Sequence, residues 1–134
     1  MLFLLMAACG SAPAPTPTAA APEAVSQAQK VGVVDVAALA SRREAGEIPL
    51  LLDVRTPAEF AAGHIPGAVN VPLGELDTAL PAALAGHEGD EIYLVCQSGR
   101  RSARAARTLS LQGIRTVNVS GGTAAWIAAG HPVE

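Results

Sequence analysis

The chain has 134 residues, 50% of them hydrophobic but only 3% aromatic. One modest domain is therefore expected, with a core built from Leu, Val, Ile and Ala. A formal charge of -3 argues against a general nucleic-acid binder, and no nucleic-acid partner is expected.

Met1 to Cys9 reads Met-Leu-Phe-Leu-Leu-Met-Ala-Ala-Cys. The apolar run is far too short to span a bilayer, which takes about 20 residues. It suits the core of a signal peptide followed by small residues, although no Lys or Arg precedes it. The ending Met6-Ala7-Ala8-Cys9 resembles a bacterial lipobox. The resemblance implies that the signal spans residues 1–9 and that Cys9 becomes a lipidated terminus. The protein would then sit on the periplasmic side of a bacterial cell envelope, held to the membrane by its lipid anchor alone. Residues 10–30 are rich in Ala, Pro and Thr. That composition cannot form a core, and its prolines favour extended polyproline II. Some 20 such residues reach about 60 Å, the proportions of a stalk leading to a folded domain at 31–134.

Within that domain, Val31 to Val34 reads as a short strand, and Asp35 can cap a helix over Val36–Ala45 that Gly46 ends. Leu50 to Val54 is apolar on both faces, as in a parallel sheet covered by helices. Pro57 opens a short helix that Gly63 closes. Val69-Asn70-Val71 is a brief strand, and Leu73 to Ala85 a weak helix interrupted at Pro81. Ile92 to Val95 is a buried strand, Ser102 to Gln112 an amphipathic helix, and Thr116 to Val119 a last strand. Gly121-Gly122 leads a final helix, Thr123 to Ala129, whose Trp126 is expected in the core. This alternation is that of an α/β fold: a mainly parallel five-stranded sheet with helices on both faces. Ligands of such sheets sit beyond the carboxyl ends of the strands.

Cys96-Gln97-Ser98-Gly99-Arg100-Arg101-Ser102 lies at one of those ends. The cysteine faces the start of a helix, with its partial positive charge and unpaired N–H groups. Gly99 lets the backbone curl into an anion nest, and Arg100 and Arg101 add charge. A thiol so placed titrates anywhere from about 3.5 to 7.5, so Cys96 is expected to be a nucleophile acting on an anionic or sulfur-bearing substrate. The bland reading, a buried inert cysteine, fails to account for the arginines and the glycine. Arg104 and Arg107 are better read as a solvated helix face. Asp53, Arg55 and Glu59 invite an acid/base reading, but ion-pair clusters are more often structural. Arg55 and Glu59 are expected to pair, with Asp53 tying the strand end to nearby N–H groups. His64, His87 and His131 show no metal-ligand spacing, and neither a metal nor another cofactor is expected.

Three separated motifs carry a family resemblance. They are Leu51-Leu52-Asp53-Val54-Arg55-Thr56-Pro57-Ala58-Glu59-Phe60 with Gly63-His64-Ile65-Pro66-Gly67-Ala68 and Asn70-Val71-Pro72, the Cys96–Ser102 loop, and Gly121-Gly122 followed by Trp126. Together they resemble single-domain rhodaneses over Val31 to Glu134. The resemblance implies thiosulfate sulfurtransferase chemistry. Cys96 would take a sulfur from thiosulfate or a persulfide donor, hold it as a persulfide and pass it to a thiol or cyanide. Arg101, matching the family's arginine after the loop glycine, would attract the anionic donor; Arg100 occupies a variable position. Gln97, Ser98, Gly99 and Ser102 would complete the substrate loop. Cell-cycle phosphatases share this fold, so a phosphatase or arsenate reductase is one alternative and a non-catalytic interaction module another. Four residues separate Cys96 from Arg101, one fewer than in phosphatase loops, and the cysteine itself is retained. Cys9 and Cys96 are the chain's two cysteines. With Cys9 lipidated, Cys96 has no disulfide partner in the mature chain, and its reductant or acceptor must come from another molecule. A monomer is expected.

Overall fold

The computed structural model describes Gly10 and residues 29–134. The proposed signal, Cys9 and nearly all of the stalk lie outside the described residues. Five strands form one sheet: β1 (Gly32–Val34), β2 (Leu50–Asp53), β3 (Val69–Asn70), β4 (Ile92–Val95) and β5 (Thr116–Val119). Their order is β1-β5-β4-β2-β3, and every pairing is parallel. The helices are α1 (Val36–Glu44), α2 (Pro57–Ala62), α3 (Leu76–Ala83), α4 (Arg100–Leu111) and α5 (Gly122–Ala128).

Side chains alternate across a strand, so a sheet covered on both faces must be apolar at every position. β4 obeys this with all four residues buried, and β2 obeys it through Leu52, its fourth residue Asp53 being a buried charge at the strand end. On one face Leu50, Leu52, Ile92 and Leu94 pack with Leu76 and Leu80 of α3 and Ala105, Ala106 and Leu109 of α4. On the other, Leu51, Tyr93, Val95, Val117 and Val119 pack with Leu39 of α1 and Trp126 of α5. Each large aliphatic chain so buried contributes about 1.5–3 kcal/mol before entropy. With few aromatics available, Trp126 is the largest of them, 1% exposed, its indole N–H donating to the Pro132 carbonyl at 2.8 Å.

Local chemistry sets the helix ends. Asp35 caps α1 by accepting from the Ala38 N–H at 2.8 Å. Thr56 and Glu59 form a reciprocal capping box on α2, with Pro57 at its first turn. Several expected element ends shift by a residue or two, and two departures have a clear physical reason. Pro81 lies inside α3 without interrupting it. The helix enters through a 3-10 turn at Leu73–Glu75, and burial of Leu76 and Leu80 offsets the cost of a mid-helix proline, about 3 kcal/mol. α4 begins at Arg100 rather than Ser102, so both arginines belong to its first turn and not to the loop. At its far end, the Gln29 N–H donates to the Ser110 carbonyl at 2.9 Å, docking the incoming chain there. Among the described residues no helix is long and apolar enough to cross a membrane.

Candidate active site

β4, central in the sheet, delivers Cys96 at its carboxyl end, 0% exposed. The next residues form a tight bend closed by Gly99. Gly99 has φ +96°, where only glycine is unstrained, and a side chain there would meet the Gly121 nitrogen at 3.2 Å and the Val119 carbonyl at 3.3 Å. This bend points the Gly99 N–H at the Cys96 sulfur, 3.0 Å away. The Ser102 hydroxyl reaches the same sulfur at 3.4 Å. Burial alone would push the thiol pKa up. The Ser102 hydroxyl and the N–H groups of Ser102, Ser98 and Gly99 outweigh it, and the pKa falls below the ordinary thiol value.

Amides can face the sulfur only if the loop carbonyls face elsewhere, and α5 receives them. The Thr123 N–H donates to the Cys96 carbonyl at 2.8 Å and the Ala124 N–H to the Gln97 carbonyl at 3.0 Å. Gly122 permits this approach. It has φ +62°, and a Cβ there would overlap the Cys96 carbonyl oxygen and lie 2.7 Å from Gln97 backbone atoms. The glycine pair of the closing motif is thus part of the loop's support. The Thr123 hydroxyl is buried with no hydrogen-bond partner.

The charged residues sort differently from expectation. Glu59 does not pair with Arg55. Arg101 grips it with both guanidinium arms, at 2.8 and 2.9 Å, which holds the Glu59 carboxyl down at about 2, helped by its capping contacts with Thr56. The same contact, with a smaller share from the charge on Cys96, raises the Arg101 pKa. Arg55 turns back onto Asp53 instead, at 2.7–3.0 Å. It also donates to the Gly63 carbonyl at 2.8 Å and to the Gln97 side chain at 3.3 Å. Asp53 additionally accepts from the Arg55 N–H at 3.0 Å, its expected strand-end role. The pair is buried, Asp53 0% and Arg55 3% exposed, so it serves as a structural brace beneath the loop rather than an acid/base couple. Gln97, Ser98 and Arg100 are exposed at the loop's rim. His64 stacks on Phe60 at 3.7 Å and His87 pairs with Asp90 at 3.1 Å. Among the described residues no group of three or more His, Cys, Asp or Glu is placed to hold a metal.

One residue escaped the sequence reading. Asn118, within β5, accepts from the Ser102 hydroxyl at 2.6 Å and donates to the Gly99 carbonyl at 3.2 Å. The signal available was a polar residue inside the strand Thr-Val-Asn-Val, where both faces should be apolar.

Residues 35–129 match the model of the Rhodanese-like domain family. The chain belongs to the rhodanese-like family. A sulfurtransferase of Allochromatium vinosum is 36% identical over 105 residues, covering 77% of this chain and 94% of that protein. YrkF of Bacillus subtilis is 40% identical over 100 residues, covering 74% of this chain and 52% of YrkF, so the chain spans about half of that relative. A rhodanese-related protein of Thermoplasma volcanium, known from its crystal structure, superposes with a TM-score of 0.68 at 32% identity. That alignment covers 77% of this chain and 97% of the other. The rhodanese-like domain accordingly carries the family's wholly parallel sheet, and its kinship is with sulfurtransferases. In this rhodanese-like domain the three motifs noted in the sequence converge: the first supplies the Asp53–Arg55 brace and Glu59, the second the sulfur and its amides, the third the carbonyl receptor of α5.

Proposed function

We propose that this protein is a sulfurtransferase that moves a sulfane sulfur from thiosulfate or a persulfide donor to a thiol or cyanide through a Cys96 persulfide. The Cys96 thiolate attacks the outer sulfur of the donor. A new S–S bond forms, the donor's S–S bond breaks, and sulfite departs with the electron pair when thiosulfate is the donor. An acceptor thiolate or cyanide then attacks the outer sulfur of the persulfide and regenerates the Cys96 thiolate. The single observation that carries this reading is the Gly99 N–H aimed at the sulfur at 3.0 Å. Such pre-aligned donors stabilise the anionic thiolate and the anionic persulfide alike, as an oxyanion hole stabilises oxygen. Arg101, fixed in place by Glu59, supports attraction of the donor and the leaving sulfite. The ring closed by four intervening residues suits one sulfur better than a tetrahedral oxyanion.

The test is intact mass of the purified domain after thiosulfate. One added sulfur, lost on treatment with cyanide and absent from Cys96→Ala, is the expected result. No added mass, or hydrolysis of an aryl phosphate instead, overturns the reading, and a cellular role that survives Cys96→Ser points to a non-catalytic interaction module. We further propose that Cys9 carries the lipid that holds the protein at the periplasmic side of the cell envelope. Labelling with radioactive palmitate, abolished by Cys9→Ser, tests that separately.

A further inference from the structure

We propose that Asn118 is a positioning residue that governs the charge state of Cys96 by competing with it for the one proton of the Ser102 hydroxyl. The inference rests on the reading of Cys96 as the nucleophile. A carbonyl oxygen can only accept, so the contact with the Gly99 carbonyl at 3.2 Å requires the amide nitrogen of Asn118 there. The amide oxygen must then face Ser102, and the Ser102 hydroxyl donates to it at 2.6 Å. That hydroxyl holds one proton, and the Cys96 sulfur lies 3.4 Å from the same oxygen. Two acceptors share one donor, and the nearer is not the sulfur. The arrangement is enclosed: Ser102 and Cys96 are 0% exposed and Asn118 7%, leaving no bulk water to supply a second donor on the Ser102 side. Asn118 thus restrains the hydroxyl's help to the thiolate, leaving the backbone N–H groups as its steadier support. The consequence is a thiol less ionised than its loop would otherwise make it, and a sulfur that draws the hydroxyl over only when it carries charge.

The proposal predicts an effect opposite in sign to that of mere structural damage. Asn118→Val removes the competitor, so the midpoint pH for alkylation of Cys96 by iodoacetamide should fall by about one unit, the size of one charge-assisted hydrogen bond gained. If Asn118 only anchors the Gly99 carbonyl, its loss would let the Gly99 N–H drift from the sulfur, and the midpoint would rise. In a Ser102→Ala background, Asn118→Val should leave the midpoint where that background puts it. The charged groups around the sulfur, Arg101 with Glu59 and Arg55 with Asp53 behind Gln97, are common to all variants and cancel from the comparison. Asn118→Ser serves if the valine variant does not fold, since its hydroxyl falls short of Ser102 by about 1.2 Å, one C=O bond. A fall in midpoint that depends on Ser102 supports the proposal. An unchanged or raised midpoint, or an equal fall in both backgrounds, overturns it. Alkylation reads the thiol directly, so failure of thiosulfate to load Cys96 would sink the proposed function and leave this result standing.

Discussion

Gly122→Ala tests whether α5 truly holds the loop open for the sulfur. The new methyl would sit 2.7 Å from Gln97 backbone atoms and closer still to the Cys96 carbonyl oxygen. Neither neighbour is a side chain that can rotate away, so the loop or the helix start must move. Holding a residue with a Cβ at φ +62° costs about 1–2 kcal/mol. Displacement also puts at risk the two bonds from Thr123 and Ala124 to the loop carbonyls, at about 0.5–1.5 kcal/mol each. The expected loss is therefore about 2–5 kcal/mol, read as a shift of the denaturant midpoint at constant slope. Because those carbonyls fix the peptide planes, the amides should swing off the sulfur too, and the alkylation midpoint of Cys96 should rise in the same variant. A Gly122→Ala protein with wild-type stability and wild-type thiol reactivity would refute the idea that the closing motif supports the loop.

Other substitutions probe the charge pairs. Arg55→Met leaves Asp53 buried without its partner, and chemical denaturation should show a loss of about 3–5 kcal/mol, partly recovered by adding Asp53→Asn. Glu59→Gln breaks a half-exposed pair, so its cost at neutral pH should be no more than about 1 kcal/mol. Glu59 titrates at about 2 when folded, against 4.5 ordinarily. Its contribution is complete above the ordinary value and lost as pH falls toward 2, so the variant should show a flatter stability profile across that window. An identical acid limb in the two proteins would argue against the pairing. Arg101→Lys cannot reproduce the two-armed grip, and the expected kinetic result is a higher KM for thiosulfate with less change in kcat. Wild-type Cys96 should be alkylated with a midpoint below the unperturbed thiol value of about 8.5; a midpoint at or above it contradicts the loop electrostatics.

The sheet was legible because strands buried on both faces leave an unbroken apolar signature, plain at Leu50–Leu52 and Ile92–Val95. The sulfur's setting was legible because cysteine, glycine and arginine fall at a strand-to-helix junction. The partner of Glu59 was not. Arg55 and Glu59 are four residues apart, a spacing that pairs along a helix, yet Arg55 precedes the Thr56 cap and points back at the strand. The role of Asn118 depends on β5 lying beside β4, a neighbourhood of residues far apart in the chain. Pro81 misled for a related reason: local propensity argued for a break, and tertiary burial of Leu76 and Leu80 overrode it.

The docking of Gln29 against Ser110 has an orientational outcome. α4 runs from the Cys96 bend to that contact, 12 residues or about 18 Å of helix. The polypeptide therefore enters the globule at one pole while the Cys96 loop lies at the other. Under the proposed anchoring through Cys9, the Cys96 loop would face away from the membrane, and a bulky protein acceptor would approach it without meeting the anchor.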